Sequence, residues 1–153
     1  MRRKDREISR QEAWRIVEES PWGTIAMVEP DGAPYCVTVN LAREDEKIYF
    51  HCATAGHKLD CLRVHPAVCI SCVSEAESLP GKLTMSYRSA ILRGTAHEVV
   101  DEDEKIHALT LLAEAHDPIS LSRLESALRK YLPKTGVWRI DIVDITGKHN
   151  PGD

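Results

Sequence analysis

The sequence contains no apolar run near the roughly 18 residues that a membrane span needs. Its charged start, Met1-Arg2-Arg3-Lys4-Asp5-Arg6-Glu7, leads into no apolar signal segment. Basic charge is not in excess either: Lys and Arg number 20 against 24 Asp and Glu, a net charge of -4. A dedicated nucleic-acid binder carries a basic excess or stripe, so that class is disfavoured. No Gly-x-Gly-x-x-Gly follows a strand pattern, and no Gly-x-x-x-x-Gly-Lys-Ser/Thr occurs. Pro80-Gly81-Lys82-Leu83-Thr84 comes nearest, yet it lacks the upstream glycine and a following helix and reads as surface loop. A Rossmann or Walker phosphate site is therefore not expected. Gly and Pro, at 8 each, exclude collagen-like and low-complexity chains.

What is present fits one domain spanning residues 1–153. The chain is 42% hydrophobic and 29% charged, and is long enough to bury a core. Five cysteines, at 36, 52, 61, 69 and 72, are odd in number and lack the spacing of a secreted disulfide scaffold. Reduced thiols in a soluble, cytoplasmic protein are the expectation.

Ser9-Arg10-Gln11-Glu12 has the form of a capping box, so a short helix through Ala13, Ile16 and Val17 should end near Pro21. Residues then alternate from Trp22 to Val28 and from Tyr35 to Leu41. Tyr35, Val37, Val39 and Leu41 take one face, and Cys36, Thr38 and Asn40 the other. Glu29-Pro30-Asp31-Gly32 between the two runs predicts a tight hairpin turn.

Arg43 to Glu46 reads as a polar turn, followed by a strand over Lys47 to Cys52, a loop, and a short helix over His57 to Val64. Ala67 to Val73 reads as a strand, Glu75 to Lys82 as a surface loop, and Ser86 to Val100 as a long strand bent at Gly94. Two helical stripes follow, Ile106, Leu109, Leu112 and Ala113, then Leu121, Leu124 and Leu128. The last strand should run from Val137 to about Ile145. Hairpin-linked, alternating strands imply a mainly β, antiparallel barrel with helices at its edges, not a doubly wound parallel sheet.

Metal ligands are the first chemistry to weigh, because His51, Cys52, His57, Cys61, Cys69 and Cys72 crowd a short stretch. Cys69 and Cys72 sit three apart in a predicted strand, so they point to opposite faces, and no second Cys-x-x-Cys completes a tetrahedral set. Small buried thiols are the favoured reading. No spacing selects a nucleophilic Cys–His pair. In the segment from Tyr49 to Arg63 a strand ends, a small-residue loop turns, and a helix begins near His57 and Lys58. Free amides at a helix start beside an ammonium form an anion site, with Arg63 or Arg88 as further donors. A plain loop with a solvated lysine stands as the other reading.

The chain resembles the flavin-binding split-barrel superfamily of pyridoxamine phosphate oxidase-like proteins, and within it the nitroimidazole-resistance branch. The resemblance rests on Pro34-Tyr35-Cys36-Val37-Thr38-Val39-Asn40, on Tyr49-Phe50-His51-Cys52 with Gly56-His57-Lys58, and on Pro66-Ala67-Val68-Cys69. Tyr87 to Ala96 and Asp144-Ile145-Thr146-Gly147-Lys148 complete it. It implies an antiparallel split β-barrel with FMN at the interface of a homodimer. The isoalloxazine would lie along Thr38, Val39 and Asn40, and the phosphate around His57 and Lys58 with the His51-Cys52 strand end. Arg88 and Ser89 match flavin-contacting strand positions. Trp138 either stacks near the cofactor or is a core or interface residue. The terminus, Thr146 to Asp153, lacks the basic, histidine-containing segment that binds substrate phosphate in pyridoxamine phosphate oxidases, so a reductase-like role is favoured over vitamin B6 oxidation.

Two functions follow from the resemblance. One is an FMN-dependent oxidoreductase that passes electrons from a nicotinamide donor to a small acceptor such as a nitroaromatic. There His51 either contacts substrate or donates a proton, or is structural. The other is a binding module that holds flavin or haem as store, sensor or electron carrier. Neither role calls for nucleic acid, membrane or a metal ion as partner.

Overall fold

Ser9 closes the capping box as its spacing requires. Glu12 N–H donates to Ser9 Oγ at 3.2 Å and Ser9 N–H to Glu12 Oε2 at 2.9 Å. Helix α1 (Arg10–Glu19) follows and buries Ala13, Trp14, Ile16 and Val17. It stops at Ser20, ahead of Pro21, whose missing N–H cannot continue it. The computed structural model describes residues 2–152.

Eight strands form one wholly antiparallel sheet. They are β1 (Glu7–Ile8), β2 (Gly23–Val28), β3 (Pro34–Val39), β4 (Ala42–Glu44), β5 (Lys47–Cys52), β6 (Ala67–Leu79), β7 (Thr84–Glu98) and β8 (Gly136–Asn150). The spatial order is β3-β2-β6-β7-β8-β5-β4, with β1 added against β8. The end strands β3 and β4 do not pair with each other, so the barrel is split, not closed. The β2–β3 hairpin turns as expected: Gly32 at φ 92° donates to Glu29 O at 2.9 Å, and Asp31 Oδ1 accepts from Ala33 N–H.

Alternation sets the two faces. Ile25, Ile48, Phe50, Ile70, Leu92, Trp138 and Ile140 point inward into one core, and α1 covers it. Helix α2 (His57–Val64) adds Leu59, Cys61 and Leu62 to that core. On the opposite face of β5, Tyr49 joins Val99, Ala108 and Val137 beneath α3 (Glu102–His116), whose start is capped by Asp101. Strand β5 is therefore buried on both faces from Ile48 to Phe50, and His51 is the first outward residue past Tyr49.

Several boundaries differ from expectation. Residues 43–46 are not simply a turn: Arg43 and Glu44 pair with Ile48 and Lys47, and Asp45 at φ 51° makes the hairpin bend. The loop expected over Glu75–Lys82 is mostly strand, because Glu75 to Leu79 pair with Arg88 to Thr84 beyond a bulge at Val73. Beyond Tyr87, where β8 ends, it is a two-stranded arm, and its charged residues face water, so it carries no apolar alternation to read. Pro80-Gly81-Lys82-Leu83 forms only its turn. β8 likewise runs past Ile145 to Asn150, paired with β7 as far as Tyr87. The bend at Gly94 is real, with a register shift between Arg93 and Gly94. The second helical stripe is split: residues 118–123 form a 3-10 turn and α4 (Leu124–Tyr131) follows, with no buried residue of its own.

Candidate functional site

Where β5 ends, Gly56 at φ 140° turns the chain into α2, and a Cβ there would meet only open space. No side chain caps this helix. Leu59 and Asp60 N–H turn back to Gly56 O, at 2.8 and 3.3 Å, which leaves the His57 and Lys58 amides facing outward from the first turn. Lys58 has no acidic partner within ion-pair distance among the described residues, and its Nζ lies 6.0 Å from the Phe50 ring centroid. An open backbone turn with an unpaired ammonium beside it fits a phosphate. His57 is more committed: its Nε2 lies 3.3 Å from Glu29 Oε2, its ring meets Tyr35 edge-on, and Cys61 Sγ is 3.8 Å away.

A cleft of about 280 Å³ opens beside the strand end, between β5, α3 and α4. Asn40 and His51, two of the residues singled out from the sequence, both line it. Asn40 is held by Nδ2–H donating to Pro21 O at 2.9 Å. His51 keeps a solvent-facing edge, yet partial burial lowers its pKa, helped by the charge of Lys58 and then by His116. It is therefore neutral at pH 7, with one nitrogen to donate and one to accept. The Cys52 thiol, half-buried, is pushed up by burial, which outweighs the opposing pull of Lys58.

The remaining predicted residues divide between the sheet faces. Thr38 is exposed on the outer face, 3.4 Å Oγ1 to Oγ1 from Thr24. Ser89 shares that face through the register Thr24 to Ser71, Ser71 to Ile91 and Val73 to Ser89. Val39 turns inward and packs against the core, as its parity predicts. Arg88 points away from its neighbour Ser89, and its guanidinium is tied to Glu19 at 2.9 Å and Glu75 at 3.4 Å. The two cannot address one flavin face from the same protomer. Trp138 is 2% exposed, beside its cross-strand partner Phe50 in the main core, so its ring has no free face for stacking. It is a core residue, and its buried indole N–H has no acceptor.

Sequence reasoning missed His116, which lines the same cleft and whose Nε2 sits 2.8 Å from Leu41 O. A carbonyl only accepts, so Nε2 carries the proton and, in the neutral ring, Nδ1 is left with its lone pair. The break at His116-Asp117-Pro118 marks the end of a helix; nothing in it reveals that this end folds back onto Leu41. Among the described residues no cluster of three or more His, Cys, Asp or Glu could hold a metal ion, and no helix is long and apolar enough to cross a membrane. Cys69 and Cys72 do face opposite sides of β6, and Cys61 and Cys72 are buried thiols.

These features define an antiparallel split barrel with an open, uncapped helix start after β5 and a cleft lined by the β5 end, α3 and α4. A sequence model of the family described as pyridoxamine 5'-phosphate oxidase matches residues 9–149, and the chain belongs to that family. Within it the chain resembles the nitroimidazole-resistance branch. A candidate 5-nitroimidazole antibiotic resistance protein from Bacteroides thetaiotaomicron VPI-5482 is 25% identical, with a TM-score of 0.78 over 94% of this chain and 86% of its own. A FAD- and haem-binding protein from Mycobacterium smegmatis superposes with a TM-score of 0.80 at 23% identity, over 94% of this chain and 72% of its own. An FAD-binding protein from Mesorhizobium loti gives 0.68 at 22% identity, over 95% and 97%. Comparison with curated protein sequences finds no match.

Proposed function

We propose that this protein is an FMN-binding oxidoreductase that carries electrons from NADH or NADPH to a small acceptor such as a nitroaromatic compound. The observation that carries the reading is the β5 end: the open Gly56 turn and the unpaired Lys58 follow it, and His51, which feels the Lys58 charge, lines a cleft there. Bound flavin would supply the two-electron chemistry, which amino-acid side chains lack. Lys58 and the first amides of α2 hold the phosphate, with His57 and the Cys52 strand end beside them. Thr38, Val39 and Asn40 border the ring system, and His51 donates a hydrogen bond or a proton at the acceptor. The electron balance is simple: the nicotinamide loses a hydride and is oxidised. A nitro group that takes those two electrons, the hydride's proton and one solvent proton becomes nitroso and releases water.

A homodimer belongs to the same proposal. The outer face of β2, β3, β6 and β7 carries Thr38 and Ser89 together with the exposed Val28, Val73 and Ile91, and a second copy would cover those apolar side chains. Arg88 and Ser89 would then approach the flavin from different protomers.

The test is an absorption spectrum of purified protein, an FMN titration, and light scattering for mass. An oxidised-flavin spectrum that bleaches with NADH or NADPH without oxygen, and returns on adding a nitroaromatic, supports the reading. Protein that takes up no FMN refutes it. Haem is the second reading, favoured by His51 and His116 lining one cleft; a Soret-dominated spectrum would select it.

A further inference from the structure

We propose that residues 118–134 form a lid over the cleft at the β5 end, and that the lid slides along α3 between two seats, one enclosing the cleft and one opening it. The segment is fixed at both ends. His116 Nε2–H donates to Leu41 O, and Gly136 pairs with Cys52 in the sheet, where a Cβ would meet Ala53 O at 2.8 Å. Between these anchors no residue is buried. The hydrogen bonds that leave the segment reach only the flanking Asp117 and Thr135, and Arg129 pairs with Glu125 inside α4. Among the described residues, no hydrogen bond or ion pair ties it to the sheet or to α3. Elements held only by a few apolar contacts open at the low end of a protein's range of local stabilities.

What seats the lid is the half-buried stripe Leu124, Ala127, Leu128 and Leu132, and that stripe is underpacked. On one side lies the cleft of about 280 Å³ with Asn40 and His51. On the other, a groove of about 480 Å³ is lined by Val100, Glu102, Lys105 and Ile106 at the start of α3, and by Glu125 and Arg129 of α4. Leu128 and Leu132 line both. A well-packed interior has few voids larger than a water, so two leucines with space on either side lack a unique seat. They fill one void only by vacating the other, which makes the two seats alternatives related by a small shear. The second seat has its own gains. It would cover Val100, which is 84% exposed, and bring Glu125 and Arg129 toward Lys105 and Glu102. Among the described residues no ion pair joins these helices now. Seated there, the lid uncovers the cleft; seated on the cleft, it screens Asn40 and His51 from water, and polar contacts inside strengthen.

The lid does not rest on the flavin reading, and the two can fail separately. The experiment labels leucine methyl groups in the full chain and reads microsecond-to-millisecond exchange by NMR relaxation dispersion, the timescale of lid opening. Leu124, Leu128 and Leu132 should show dispersion with one shared rate, while Leu92 in the barrel core stays flat. Val100→Trp fills the second groove and should reduce that dispersion at least fivefold. Lys105→Glu adds a third acid beside Glu102 and Glu125, and should lower the population of the second seat at least twofold. Val100 is exposed and Lys105 only half-buried, so neither change disturbs a core, and circular dichroism checks this. Flat profiles at all three lid leucines overturn the proposal. Undiminished dispersion in either variant also overturns it, because a helix that frays in place does not need the second groove. So does exchange shared with Leu92, which would mean that the whole barrel opens. With an FMN titration alongside, lid exchange without FMN uptake leaves the lid standing and refutes the flavin reading; FMN uptake with flat leucines does the reverse.

Discussion

Removing the Lys58 charge separates a phosphate site from a plain helix start. In the free protein this ammonium has no carboxylate partner among the described residues, and its one aromatic contact, to Phe50 at 6.0 Å, is at the outer limit for a cation–π interaction. That contact contributes about 0.5 kcal/mol. A cation in the first turn of a helix meets the positive end of the dipole, which costs about 0.3–1 kcal/mol, and alanine is the better helix former. These effects nearly cancel, so Lys58→Ala should change unfolding stability by less than about 0.5 kcal/mol. Binding responds differently. A charge-assisted hydrogen bond to a phosphate oxygen is worth about 1.5–3 kcal/mol, which raises the FMN dissociation constant about 10- to 150-fold. Lys58→Met, which keeps the methylenes over Phe50, should lose as much as Lys58→Ala. The assay is quenching of flavin fluorescence on titration with protein at two salt concentrations, with urea unfolding as control. Parent and variant dissociation constants within twofold of each other would refute the phosphate assignment. A Lys58→Met variant that binds like the parent would show that packing, not charge, was being measured.

Three further outcomes are expected. Tyr49 is pushed up to about 12 by burial, then by the Glu104 charge and the hydrogen bond to it, from an ordinary value of 10. Its stabilisation is therefore complete below pH 10 and lost as pH rises through 12; phenolate absorbance should show one of the four tyrosines ionising late, and Glu104→Gln should bring it earlier. A methyl group at Gly94 would sit 2.4 Å from Asp141 O and 2.8 Å from Ile140 Cγ2, inside the β7–β8 ladder. Gly94→Ala should cost about 1–3 kcal/mol in urea unfolding, and a loss under 0.5 kcal/mol would mean the bulge relaxes freely. Among the thiols, Cys36 is exposed, whereas Cys61 and Cys72 are buried and Cys72 is pushed up to about 12 by burial. An aromatic disulfide reagent should reach Cys61 and Cys72 only on unfolding, and early reaction at Cys72 would contradict the packing of β6.

The elements legible in the sequence are those whose local chemistry and burial agree. The Ser9–Glu12 capping box, the Asp31-Gly32 turn and the alternation of Tyr35, Val37 and Val39 each depend on neighbours within a few residues, and each is where the spacing placed it. The Glu75–Leu79 half of the arm was not legible for the same reason, although its partner strand was read from Ser86 onward. Its pairing is satisfied by the opposite strand and not by a core, so Glu75, Glu77 and Ser78 face water and mimic a loop.

The candidate site shows how far parity carries and where it stops. Alternation correctly separates Thr38 from Val39, because a strand offers only two faces. The same rule, followed through β7, sets Arg88 and Ser89 on opposite faces, and it directs Trp138 inward once Phe50 is known to lie across from it. Parity says nothing about which distant element covers a face. Tyr49 and His51 are alike in period, yet α3 buries one and ends beside the other. Where α3 stops is fixed by Asp117-Pro118, and what it stops against is fixed by His116 reaching Leu41 O, 75 residues away in sequence. Contacts of that separation depend on the assembled barrel and have no local signature, so the helical half of the cleft becomes visible only in three dimensions. The strand half, with Asn40 and His51, was visible from the start because it is built from neighbours.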